Sequence, residues 1–170
     1  MKDSVQAGMH AGFEYLVEVV DKHGRVRDSE VIKNLMPTEG LNHMLNTELK
    51  GGAQVSSWYM GLFSGNYTPL AGDTAATFPG SATESSAYDE ATRELLVFGT
   101  VAAGAVDNSA ARAEFTMNAT VTIYGGFIAS ASAKGATSGV LLSAVKFASP
   151  KALADDEVLR VTAGFTLISA

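Results

Sequence analysis

The sequence predicts an all-β chain: a single β-sandwich, jelly-roll or immunoglobulin-like, with one inserted α-helix and an extended N-terminal arm. Three observations carry this. Apolar and polar residues alternate with a period of two in several segments, turn-forming residues separate those segments at sandwich-like spacing, and a convincing helical period occurs once. At 170 residues the chain fits one domain, and folding at this length buries roughly 70% of the surface the unfolded chain exposes. No repeat or composition break divides it, so the expected organisation is an arm over residues 1–12 and one sandwich over residues 13–170, with the helix near residues 38–50.

The arm, MKDSVQAGMHAG, shows neither period, and its two glycines lower the cost of leaving it disordered. Fully extended it would span roughly 40 Å. Two readings stand beside each other: a frayed terminus, or an arm gripping a partner through Val5 and Met9. Residues 13–20 place Phe13, Tyr15, Val17 and Val19 on one face and Glu14 and Glu18 on the other, a half-buried strand. Asp21, Lys22, His23 and Gly24 supply a turn, and residues 25–32 return as the hairpin partner.

Pro37 and Thr38 mark a helix start, Glu39 complements the N-terminal dipole, and Gly51-Gly52 ends the segment. Leu41, Met44, Leu45 and Leu49 form one apolar stripe, expected to lie across an end or face of the sheets. In SSWYMGLF, residues 56–63, both alternating sets are apolar, as in a strand covered on both sides. Residues 64–88 are rich in Gly, Pro, Ser, Thr and Ala and longer than most connections inside a compact domain. Strand signals return at residues 93–100, 112–118, 120–128, 140–147 and 157–168, giving eight strands in all. Gly125-Gly126 interrupts one of them as a bulge or close backbone contact would.

Composition narrows the functional classes. Charged residues are 18% of the chain, against roughly 25% in ordinary soluble domains, and its many small side chains suit packing against neighbours. A net charge of −6 and a pI near 5.0 argue against nucleic acid, which requires clustered Lys and Arg. Without cysteine, disulfides and thiolate metal sites are excluded, which suits assembly in a reducing cytoplasm. Residues 1–10 are acidic and polar where a signal peptide needs a basic start and an apolar run. Residues 95–106 are too short and too rich in Gly and Thr to span a bilayer, so a soluble chain without a membrane partner is expected.

The residues that could carry chemistry do not form a known pattern. His10, His23 and His43 fall in the arm, the turn and the helix, without the i, i+4 pairing of a zinc site. No serine sits in Gly-x-Ser-x-Gly. Glu84 with Asp89 and Glu90, and Asp155-Asp156-Glu157, offer oxygen ligands but lack calcium-loop spacing, so solvated turns are expected. Glycoside hydrolysis would need paired carboxylates beside an aromatic platform such as Trp58 or Tyr67. The expectation is no enzyme, no cofactor and no metal. In the long loop, Tyr67, Pro69, Leu70, Phe78 and Pro79 space large groups among residues that cannot build a core. They are either interface anchors or tucked beneath their own loop.

Five segments taken in order resemble a group of tailed-bacteriophage virion structural proteins: WYMGLFSGNYTPLAGDTAATFPG, AYDEATRELLVFG, VDNSAARAEFTMNATVTIYGGFI, SASAKGATSGVLLSAVKF and DDEVLRVTAGFTLIS. Asn34-Leu35 and Gly40-Leu41 precede the WYxGL strand as in that group, and the likeness spans residues 13–170. The resemblance implies a capsid cement or decoration protein with a jelly-roll-like fold, in which Tyr88, Glu90 and Arg93 lock a loop against the following strand. It also implies a major capsid protein as partner, self-association as dimer or trimer, and a place on the capsid surface after assembly in the host cytoplasm. The alternative is a tail, collar or fibre-associated module, structural or glycan-binding.

Overall fold

A computed structural model of the chain describes residues 9–169. It is mostly β, with two antiparallel sheets and little helix. The strands are β1 (Met9–Val20), β2 (Val26–Lys33), β3 (Trp58–Phe63), β4 (Glu94–Leu96), β5 (Ala105–Asp107), β6 (Ala113–Thr116), β7 (Val121–Ala129), β8 (Leu141–Leu153) and β9 (Val158–Ser169). The helices are α1 (Thr38–Lys50) and α2 (Phe78–Ala82). One sheet has the order β2-β1-β9, with β5 and β6 both pairing the far side of β9; the other is β4-β3-β7-β8.

The period-two reading places the core. Phe13, Tyr15, Val17 and Val19 of β1 are buried against Met60 and Leu62 of β3, Ile123 and Ile128 of β7 and Phe115 of β6. The β1–β2 turn closes as its residues dictate: Gly24 takes φ 79°, and the Asp21 carboxylate accepts the N–H groups of His23 and Arg25. β1 starts earlier than alternation predicts. Met9 to Gly12 pair with the end of β9, so the backbone ladder extends beyond the amphipathic stretch and into the segment assigned to the arm. Residues 1–8 lie outside the described residues.

β3 is covered on both sides. Met60 and Leu62 face the other sheet, whereas Phe63 joins Phe127, Ala129, Leu141, Ala144, Phe78 and Ala82 in a second cluster on the outer face of its own sheet. The long loop covers that cluster, and it contains a short helix that the single-helix expectation omitted. α2 begins Phe78-Pro79, where the fixed φ of proline is already helical, and it ends at Thr83 in the left-handed region.

Three further differences have local causes. The strand predicted over residues 93–100 shortens to Glu94–Leu96, and β5 adds a ninth strand too short to show a period. β8 runs on to Leu153 because the Phe147–Pro150 stretch loops out: Lys146 pairs with Gly125, and Lys151 with Ile123. Pro150 therefore costs no ladder bond. Beside this irregularity a side chain on Gly125 would strike the Phe63 ring and the Val145 carbonyl, so the glycine pair answers a close backbone contact.

α1 corrects the predicted packing of its stripe. Gly40 is its one fully buried residue, and a Cβ there would lie 2.6 Å from the Leu142 carbonyl oxygen and 2.9 Å from that of Leu141. The backbone of α1 thus sits directly on β8, which turns the Gly40, His43, Met44 and Thr47 side inward and leaves Leu41, Leu45 and Leu49 outside. Glu39 does more than complement a dipole: its carboxylate accepts the Ala75 and Leu141 N–H groups at 2.8 and 2.7 Å, tying helix, loop and β8 together.

Candidate protein-binding surface

The expected anchors of the long loop divide in the structure. Phe78 is fully buried, edge-on to Phe63 and Tyr67 and 5.2 Å between centroids from Phe127, and Pro79 is buried beside it. Neither is available to a partner, because the second apolar cluster needs a lid and the loop supplies it. Tyr67 is half-buried and donates its hydroxyl to Asp73 at 2.8 Å, which raises the phenol above its ordinary pKa. The same carboxylate accepts the Leu70 N–H. This pinning holds Leu70 outward at 57% exposure, next to half-buried Pro69. Met9 lies in β1 opposite Ser169, with its side chain outside the described residues, as is Val5 altogether.

The larger exposed apolar surface was not among the expected sites. Leu45 and Leu49 of α1 are 57% and 76% exposed, with Leu41 also outside. At 100° per residue these positions i, i+4 and i+8 make one continuous flank. Val26 and Val31 on β2, and Leu95, Val97 and Val101 around β4, are exposed as well. The signal was present in the sequence, since the stripe itself was legible. Its direction was not, because a glycine contact carries no hydrophobic signature.

No protein-family model matches the chain, and no curated protein matches it.

Several charged residues hold the frame. Arg93, 1% exposed, donates Nε and Nη2 to both oxygens of Glu84 at 2.8 and 2.7 Å, and donates to the carbonyls of Ala131 and Ala136. Its guanidinium also lies 4.9 Å from the centre of the Phe127 ring. Glu90 accepts the Thr116 N–H, Tyr88 packs edge-on against Phe115, and Lys134 sits over the Tyr88 ring while donating to its carbonyl. Tyr88, Glu90 and Arg93 thereby fasten residues 132–139 and β6 to the loop before β4. In Asp107-Asn108-Ser109-Ala110, buried Asn108 accepts the Ala163 N–H at 2.7 Å and bridges the gap between β5 and β6 on β9.

The members of the two acidic clusters find different partners. Glu84 faces Arg93, and Asp89 is exposed. Glu157 is held by Arg27 and the Ala154 N–H, which lowers its pKa. Buried Lys151 bridges Asp28 and Glu30 of β2. Among the described residues no group of three or more His, Asp or Glu is placed to hold a metal, and no helix is long and apolar enough to cross a membrane. Chemically, the flank of α1 offers apolar contact, with exposed Glu48 and Lys50 beside it.

Proposed function

We propose that the chain is a structural protein of a tailed-bacteriophage virion that binds the outside of the capsid and stabilises contacts between major capsid subunits. The observation that carries this reading is the outward apolar flank of α1, Leu41, Leu45 and Leu49, on a frame whose buried cations, Arg93 and Lys151, are paired within the chain. The ordered resemblance over residues 13–170 supports the virion part of the reading and favours the jelly-roll type, while strand spacing alone leaves jelly-roll and immunoglobulin-like types side by side. Apolar patches of this size bind weakly one at a time. Repetition on a symmetric shell, with self-association as dimer or trimer, multiplies them into avidity without a catalytic group.

Counting copies on purified virions by quantitative mass spectrometry tests this. The reading expects a number comparable with that of the major capsid subunits. A handful per particle would support instead the tail, collar or fibre position.

A further inference from the structure

The side chain of Lys151 is 1% exposed, and it meets two carboxylates. On β8 it lies opposite core residue Ile123, so it projects from the inner face of its sheet. Asp28 and Glu30 of edge strand β2 lie opposite Val19 and Val17 of β1, which places both carboxylates on the inner face of the other sheet. All three side chains therefore converge between the sheets. Nζ donates to Asp28 Oδ2 at 2.9 Å. The carboxyl carbon is one bond of roughly 1.2 Å beyond that oxygen, which puts it within about 4 Å of Nζ, close to the roughly 3–3.5 Å of atoms poised to react. Glu30 Oε1 is 3.3 Å from the same nitrogen, buried, and makes no hydrogen bond. A buried acceptor without one is uncommon in a native structure, and here a proton is within its reach.

We propose that Lys151 and Asp28 condense into an isopeptide bond, with Glu30 relaying the protons. The hydrogen bond from Lys151 holds the Asp28 carboxyl below its ordinary pKa, so the ion pair is the starting state and the first proton transfer sets the pace. That proton passes from the ammonium to Glu30 and on to Asp28, leaving a neutral amine beside a carboxylic acid. Nζ then attacks Cγ. Glu30 carries a second proton from nitrogen to the departing hydroxyl, which leaves as water. One ammonium and one carboxylate become one amide and one water, with Glu30 restored and no other reagent consumed. Burial fixes the amine, while Asp28, 44% exposed, gives the water a way out. Effective molarities of roughly 10⁵ M and above in a fixed site favour a condensation that dilute amine and acid do not undergo. The bond ties edge strand β2 to β8 of the opposite sheet, in a chain that has no cysteine for a disulfide. The inference does not depend on the virion reading.

Mass spectrometry of the purified full chain, denatured after folding, tests this. The wild type should weigh one water less than its sequence. Trypsin should release a branched peptide joining residues 28–33 to residues 147–160, with Lys151 uncut. Lys151→Arg should keep the full mass. Glu30→Gln should show at least about tenfold less branched peptide at matched times after synthesis, since a positioned proton relay contributes roughly 10²–10⁴-fold. Circular dichroism checks that each chain keeps its sheets. Three outcomes would overturn the proposal: full mass in the folded wild type, a water loss that persists in Lys151→Arg as a succinimide at Asp28-Ser29 would, or a branched peptide that forms in Glu30→Gln as fast as in the wild type.

Discussion

Arg93 shows what a single buried charge does in this frame. Its guanidinium satisfies both oxygens of Glu84 and two carbonyls in a site closed to water. Removing one partner leaves the other charged and unpaired, so Arg93→Ala should lower unfolding free energy by about 3–5 kcal/mol. The pair Glu84→Gln with Arg93→Met should recover much of that loss in chemical denaturation. The resemblance implied a locking role for Arg93, but its partner was not legible in the sequence. Glu84 reads in sequence as one of three neighbouring acids, and only the fold turns it onto Arg93 while Glu90 takes the Thr116 N–H and Asp89 stays exposed. Glu157 shows the opposite sign of exposure. The Arg27 hydrogen bonds, then the Ala154 N–H, hold its pKa below the ordinary carboxylate value. A depressed folded pKa contributes stability above the unfolded pKa and loses it as pH falls through the folded one. Glu157→Gln should therefore cost about 1 kcal/mol at pH 7. The gap from wild type should close as pH falls through about 4 and below in urea titrations, since the unfolded carboxylate titrates there.

Among the elements, the strands were legible wherever one face meets the core, because a period of two has one physical cause. The edge strand β5 and the β8 extension past Pro150 were not, since three residues show no period and a bulge hides the proline. α1 was legible in extent but not in orientation. Its apolar stripe pointed toward the sheets by ordinary amphipathic logic, yet Gly40 meets β8 backbone to backbone and overrides it. Gly40→Ala gains up to about 1 kcal/mol of helix propensity. It should nonetheless lower the melting midpoint, with a net loss of about 2 kcal/mol, because the backbone of Leu141 and Leu142 has no room for the methyl. Leu45→Lys and Leu49→Lys, on the opposite flank, should stay within about 0.5 kcal/mol of wild type by the same measurement. A large loss there would mean that the stripe packs inward.

For the whole molecule, two sheets, a loop lid and a packed helix cover the two apolar clusters and leave one continuous row of exposed leucines on α1. The expected anchors Phe78 and Pro79 were spent on the molecule's own second cluster, and Leu70 remains outside as a secondary contact. The double variant Leu45→Lys with Leu49→Lys should keep its fold yet lose occupancy on virions. Location on the particle separates a capsid-surface protein from a tail component directly. Electron cryomicroscopy of intact virions carrying the wild-type chain should show it at symmetry-related positions over the outer capsid surface, with α1 turned toward the shell. Density confined to tail, collar or fibres, or none on the particle, would contradict the account.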